Sequence, residues 1–226
     1  MHRRIKSPPR RPYLCASALA SNLECVGAAK GAAHVMIVDE WTEGGPGVQH
    51  TGPRIELVLG DITHADCDAI VSSICPNLGG GGQLYSTVAR RGGPIIESQL
   101  HRIHEERFPN GLPIGGCVAT SGGRLGCPWV VHAAGPVWSA APRARSELAT
   151  TYYNALLVAA DLGATRVAVP AISVGACRFP VAEAAAIAMN AVRTTGAPLA
   201  VVRFVLSNRL VYATFMHAFV ADIQKR

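Results

Sequence analysis

The chain has 226 residues, of which 49% are apolar and only 16% charged, and it carries a formal net charge of +6. This length and composition allow one sizeable core, which excludes disorder throughout, collagen and a coiled coil. Five of the 21 Lys and Arg residues lie within positions 1–12, which hold no acid, and this leaves 16 basic against 15 acidic residues. Nucleic acid is therefore expected as a partner of the N-terminal tail at most, and not of a folded basic surface.

The cysteines and the apolar runs predict where the protein is located. Seven cysteines are an odd number with no C-x-x-C pair, which favours free thiols in a reducing cytosol over a disulfide framework or a zinc site. No apolar run approaches the roughly 20 residues of a membrane span. Residues 1–31, with Pro8, Pro9 and Pro12, are predicted to be a disordered basic extension; the alternative is a signal or transit peptide. We expect a cytoplasmic protein with no membrane contact.

Secondary structure is predicted in two stretches. Residues 32–53 contain an apolar run at 34–40 that predicts an extra strand, followed by a Gly- and Pro-rich linker. From Arg54 onward, β-branched apolar runs predict strands at 54–59, 68–74, 117–121, 129–134, 166–170 and 199–206. Helices are predicted at 83–107, divided in two by Gly92, Gly93 and Pro94, and at 145–162, 181–194 and 210–223. This alternation predicts an α/β sandwich with helices on both faces of the sheet.

Three connections follow predicted strands, where α/β folds bind their ligands. Asp61 can accept a hydrogen bond from an exocyclic amine or a hydroxyl; its alternative role is to cap the local turn. The glycines at 79–82 can bring backbone N–H groups and the start of a helix at Gln83 to a diphosphate, the alternative being a surface loop. Residues 170–180 combine small residues with the Ser173 hydroxyl and offer the same kind of donors.

Five short motifs in a fixed order resemble one family. They are Gly-Asp-Ile-Thr at 60–63, Asp-Ala-Ile-Val at 68–71, the glycines at 79–82, Val-Val-His-Ala-Ala-Gly-Pro at 130–136 and Val-Pro-Ala-Ile-Ser-x-Gly at 169–175. Residues 54–226 are thereby identified as a macro domain, the ADP-ribose-binding module. The resemblance implies a three-layer α/β/α sandwich with a mixed central sheet, and a cleft whose ligand is ADP-ribose with no further cofactor.

The resemblance also implies which residues line that cleft. Asp61 would bind the adenine amino group with Ile62 beside it. Two sets would enclose the diphosphate and the distal ribose: Gly80, Gly81, Gly82 and Gln83 on one side, and Ser173, Val174, Gly175, Ala176, Cys177, Arg178 and Phe179 on the other. Ser207 and Asn208 would lie by the adenine face, where relatives often have an aromatic residue, so weaker or altered base binding is expected.

Two departures from the family pattern affect catalysis. The family usually has Asn-Ala-Ala-Asn where this chain has Ser72-Ser73-Ile74-Cys75, so Cys75 replaces the asparagine that orients the distal ribose. The aspartate that helps to activate water in hydrolytic members corresponds to Leu84, which cannot accept a proton. Asn77 is a candidate to replace part of the lost amide. A binding module with weak or no hydrolase activity is therefore expected, or else an enzyme with an altered mechanism.

Two alternatives remain open at this stage. An ADP-ribosyl hydrolase could use a thiolate, because Cys75 and Cys177 lie on loops expected to face each other and His132 ends a neighbouring strand. A protein-interaction scaffold could have lost its ligand if Arg178 blocks the cleft instead of clamping a phosphate. The expected partner is ADP-ribose or a mono-ADP-ribosylated protein, bound by a monomer. His101 and His104 are expected on a solvated helix face, with no metal.

Overall fold

The computed structural model describes residues 34–37 and 52–223; the predicted N-terminal extension and most of the predicted linker lie outside these residues. Within them, seven strands form one sheet in the order β1-β2-β7-β6-β3-β5-β4. The strands are β1 (His34–Ile37), β2 (Arg54–Leu59), β3 (Ala69–Ser73), β4 (Cys117–Ser121), β5 (Trp129–Ala133), β6 (Arg166–Val169) and β7 (Val201–Leu206). The edge strands β1 and β4 run antiparallel to their neighbours, and the five strands between them are parallel. The sheet is therefore mixed, as predicted.

In the described part of the chain, five α-helices cover the two faces of this sheet. They are α1 (Gln83–Gly92), α2 (Pro94–Arg107), α3 (Pro142–Asp161), α4 (Val181–Thr194) and α5 (Arg209–Ile223). The predicted break between α1 and α2 and the predicted bounds of α4 are confirmed. The predicted start of α3 at residue 145 is wrong by three residues, because Pro142 occupies the first turn, where its fixed φ and missing N–H cost nothing.

The core divides into two layers, one on each face of the sheet. Alternate residues of a strand point to opposite faces. On β3, Ile70 accordingly packs with Val88 of α1 and Leu100 of α2, whereas Val71 belongs to the larger cluster formed by α3, α4 and α5. The α/β/α sandwich is thus confirmed. Among the described residues no helix is both long and apolar enough to cross a membrane.

The parallel strands place three connections at the carboxyl ends of the strands. β2, β3 and β6 all end on this side, so the segments that begin at Gly60, Ile74 and Pro170 start there together. A backbone hydrogen bond joins the end of β2 to the end of the neighbouring β7, because the Gly60 N–H donates to the Leu206 carbonyl over 3.0 Å. The three connections singled out from the sequence therefore meet at one end of the molecule.

Candidate functional site

The first wall of the site is the glycine loop, residues 74–82. Its turn closes on itself: the Cys75 N–H donates to the Gly80 carbonyl over 2.9 Å, and the Leu78 N–H donates to the Cys75 carbonyl over 3.0 Å. Leu78 has a φ of 56°, which strains a non-glycine residue. Asn77, the candidate replacement for the lost amide, uses its side-chain oxygen within the loop to accept from the Gly79 N–H.

Two of the glycines have different reasons to lack a side chain. A β-carbon on Gly81 would lie 2.6 Å from Cβ of Tyr85 and 3.1 Å from the Ser73 carbonyl oxygen, so no side chain fits there. Gly82 is the N-cap of α1 and supplies no side-chain oxygen to the first turn. The N–H groups that open α1 therefore have no side-chain cap, and they lie at the positive end of the helix dipole.

The second wall is the serine loop, residues 170–180, and its backbone is bent sharply. Ser173 and Arg178 have φ values of 64° and 56°. The Phe179 N–H donates to the Ser173 carbonyl over 2.9 Å, and the Arg178 N–H donates to the Gly175 carbonyl over 3.0 Å. These bonds close a compact turn around Val174, Gly175 and Ala176. The Arg178 side chain is exposed and has no ion pair among the described residues.

Aromatic residues hold the serine loop in place. The Tyr152 hydroxyl, on α3, accepts from the Ile172 N–H over 2.8 Å and donates to the Pro170 carbonyl over 3.3 Å. Phe179 is buried against Trp138, with ring centroids 4.7 Å apart. The backbone N–H of Trp138 also donates to the Cys177 carbonyl over 2.8 Å. Sequence reasoning missed the role of Tyr152; the only available signal was its spacing of four residues from Leu148 and Leu156 on the apolar face of α3.

The glycine loop and the serine loop face each other at the carboxyl ends of the strands. A β-carbon on Gly82 would lie 3.9 Å from the Ala176 β-carbon, an ordinary contact distance. Burial raises the pKa of the Cys177 thiol, and the nearby Cys75 thiol adds to the rise. Cys75 is exposed and Cys177 is half-buried. The structure therefore brings together the two loops, and the two thiols, that the sequence predicts to be opposite each other.

Asp61 takes the capping role that was one of the two considered for it. Its Oδ1 accepts from the N–H of Thr63 over 3.0 Å and from the Thr63 hydroxyl over 2.6 Å, which caps the 3₁₀ turn Ile62–His64. Its Oδ2 lies 3.1 Å from the Arg91 guanidinium on α1. Partial burial works to raise the pKa of Asp61, but the Thr63 hydrogen bonds and the charge of Arg91 outweigh it and lower the pKa. Ile62 is buried beside this carboxylate.

Positions 207–210, which follow β7 beside the turn that carries Asp61, hold no aromatic residue. Asn208 caps α5, accepting from the N–H groups of Leu210 and Val211 over 2.8 and 3.2 Å. Leu210 follows it with 73% of its side chain exposed. Residues 207–210 therefore present a capped helix start and one apolar side chain, and the first ring after β7 belongs to Tyr212 on α5.

His132 lies in the layer between the sheet and α1–α2. Its Nε2 is 2.9 Å from the Thr120 hydroxyl, and burial lowers its pKa to about 3, so the imidazole is neutral. Its Nδ1 and the hydroxyl of its register partner Ser72 have no hydrogen-bond partner among the described residues. His101 pairs with Glu105 over 3.2 Å on the exposed face of α2. The described residues contain no group of three metal-ligating side chains.

Comparison with known proteins identifies the family. The family model of the Macro domain matches residues 71–188. A macro domain-containing protein of Streptomyces nogalater is 44% identical over 161 residues, which cover 71% of this chain and 89% of the relative. The chain belongs to the macro domain family. The resemblance seen in the sequence motifs is thereby confirmed.

Solved macrodomains share the architecture. The Oceanobacillus iheyensis macrodomain with ADP superposes with a TM-score of 0.73 at 28% identity, over 77% of this chain and 94% of that one. The Trypanosoma brucei macrodomain in complex with ADP-ribose gives a TM-score of 0.66 at 25% identity, over 73% and 68% of the two chains. Relatives with this fold thus bind ADP or ADP-ribose.

Proposed function

We propose that this macro domain binds ADP-ribose or a related nucleotide diphosphate, free or attached to a protein, and has weak or no hydrolase activity. The observation that carries the proposal is the pair of opposed loops at the carboxyl edge of the sheet, with the uncapped start of α1 behind them. Macrodomains of the same fold that hold ADP and ADP-ribose support it.

Backbone groups account for diphosphate binding without a basic pocket. A helix N-terminus and the N–H groups of small-residue loops favour an anion, and glycines let phosphate oxygens approach the backbone closely. The exposed Arg178 has no ion pair among the described residues, so its guanidinium is available to the phosphates. In this arrangement Arg178 clamps the phosphates of the ligand. This disfavours the alternative in which Arg178 blocks the cleft and the protein is an interaction scaffold without a ligand. Asp61 would accept from the adenine amino group through its Oδ2.

The groups that hydrolysis would need are poorly placed. Leu84 supplies no base on the first turn of α1, and the nearest carboxylate along the chain, Glu97, lies on α2. A thiolate on Cys177 is disfavoured because burial raises the pKa of that thiol. His132 is buried in the α1–α2 layer, where its low pKa keeps it neutral. These observations support binding over turnover.

We also infer a cytoplasmic location, supported by the thiol state of the cysteines. Five cysteines are free in the described part of the chain: Cys67, Cys75, Cys117, Cys127 and Cys177. Burial raises the pKa of Cys117 to about 12, so its thiol stays protonated and unreactive. Free thiols of this number are typical of a reducing compartment.

Titration calorimetry with ADP-ribose tests the proposal. The wild type is expected to give saturable, one-site heat. Gly81→Ala is expected to weaken binding by about tenfold or more, because a β-carbon 2.6 Å from Tyr85 forces the glycine loop to shift. Gly126→Ala is the matched control, since a β-carbon there meets nothing within 4 Å, and its affinity should equal that of the wild type. No heat from the wild type at millimolar ADP-ribose would overturn the proposal.

A further inference from the structure

The carboxylate at the predicted base site is accompanied by a guanidinium. Arg91 reaches from the last turn of α1 to the 3₁₀ turn after β2, where its Nη1 contacts Asp61 Oδ2, the Thr63 hydroxyl and the His64 ring. The exposed fractions of the Asp61 and Arg91 side chains are 40% and 34%. Both groups can therefore reach a bound molecule while they hold each other in place.

Hydrogen-bonding capacity remains on both members of this pair. Asp61 Oδ1 is occupied by two bonds from Thr63, whereas Oδ2 has Arg91 as its closest partner and retains a lone pair. Arg91 has five N–H donors, and all of its contacts among the described residues go through Nη1. The site consequently offers an acceptor and a donor side by side.

An adjacent acceptor and donor match more than one purine. Adenine has an amino group, which donates, next to ring nitrogens, which accept. A 6-oxopurine has the reverse order: its carbonyl oxygen accepts and its N1–H donates. A lone carboxylate would repel that carbonyl oxygen, since neither atom carries a hydrogen. With Arg91 present, the carbonyl can accept from the guanidinium while N1–H donates to Asp61, after the ring shifts by one position along its edge.

We propose that Arg91 is a specificity-determining residue that lets this site accept 6-oxopurine nucleotides, such as inosine diphosphates, as well as adenine nucleotides. The proposal rests on the proposed function, because it assumes that a nucleotide base lies at Asp61. Arg91 acts on the base directly and keeps Asp61 oriented through their ion pair. Removing Arg91 therefore costs a 6-oxopurine the guanidinium donor to its carbonyl oxygen, while adenine keeps its bond to Asp61.

Calorimetric titration with ADP and with IDP tests the assignment. We expect the affinity of the wild type for IDP to lie within about fivefold of its affinity for ADP. Arg91→Met should weaken the affinity for IDP by about tenfold or more, which is the usual loss of a charged hydrogen bond, and should change the affinity for ADP by less than about threefold. Arg91→Lys retains a charged donor and should restore much of the IDP affinity. Arg90→Met is the matched control: Arg90 is exposed on α1 and has no bond to Asp61.

The outcomes separate this proposal from the proposed function. A wild type that binds ADP but rejects IDP would overturn the role of Arg91. So would an Arg91→Met variant in which both nucleotides weaken equally, or in which both bind more tightly because the guanidinium had only obstructed the site. A wild type that binds neither ADP nor ADP-ribose would overturn the proposed function and this inference with it.

Discussion

The two loops of the site are built by opposite means. The glycine loop owes its shape to missing side chains, because Gly81 has no room for a β-carbon and Gly82 leaves α1 without a side-chain cap. The serine loop owes its shape to large side chains behind it, since Tyr152, Trp138 and Phe179 fix its two ends. One wall is thus shaped by local backbone chemistry and the other by packing between distant elements.

Removing the aromatic support is expected to have the largest effect. Phe179 is fully buried, so Phe179→Ala should lower the free energy of unfolding by about 3–5 kcal/mol and the melting temperature by about 10 °C. Thermal and urea unfolding measure this loss. Val137→Ala, at a side chain that is 69% exposed, is the control and should change stability by less than about 0.5 kcal/mol. Equal effects of the two substitutions would show that the serine loop does not depend on its packing.

A single hydroxyl tests the other end of the serine loop. Tyr152→Phe keeps the buried ring but leaves the Ile172 N–H without its acceptor, which should cost about 1–3 kcal/mol. Tyr153→Phe, at the exposed neighbour, is the matched control and should be neutral. Urea unfolding gives the stability, and calorimetry with ADP-ribose should show weaker binding for Tyr152→Phe alone. An unchanged affinity despite the lost stability would mean that Tyr152 supports the fold but does not position the loop.

Acid is expected to have the smallest effect, at the Asp61 end of the site. Although partial burial opposes it, the Thr63 hydrogen bonds and Arg91 hold the pKa of Asp61 below its ordinary value of 3.8. A lowered folded-state pKa gives stability that is complete above this ordinary value and is lost as pH falls through the lower one. Because the side chain is 40% exposed, the contribution should stay below about 1 kcal/mol.

Unfolding of the wild type and of Asp61→Asn at several pH values measures that contribution. The difference in stability between the two proteins should be the same at pH 7 and pH 5 and should shrink near pH 3. A difference that already shrinks between pH 7 and pH 5 would mean that the pKa of Asp61 is raised and that its ion pair with Arg91 is not formed.

Much of the fold could be predicted because its signals are local. β2 and α4 have the predicted bounds, since apolar alternation, Pro180 and the change of period mark them within a few residues. The glycine and serine loops were also predictable, because small residues after apolar runs occupy the carboxyl edge of a parallel sheet. The opposed placement of Cys75 and Cys177 follows from that topology.

The rest depends on contacts between residues far apart in the chain. Arg91 lies 30 positions after Asp61, and nothing in the spacing of either indicates that a guanidinium on α1 reaches the turn after β2. Tyr152 and Trp138 reach the serine loop in the same way, through packing that only the assembled layers define. The predicted start of α3 at residue 145 is wrong for a local reason, because Pro142 is accommodated in the first turn of the helix.

Binding without turnover is the central claim, and a mono-ADP-ribosylated protein tests it most directly. The experiment measures its affinity for the wild type and then the amount of ADP-ribose released during prolonged incubation, with Cys75→Ala alongside. The account predicts that the modified protein binds saturably to the wild type and to Cys75→Ala, and that ADP-ribose is released no faster than in buffer alone. Rapid release by the wild type that is lost in Cys75→Ala would contradict it and establish a thiol-dependent hydrolase.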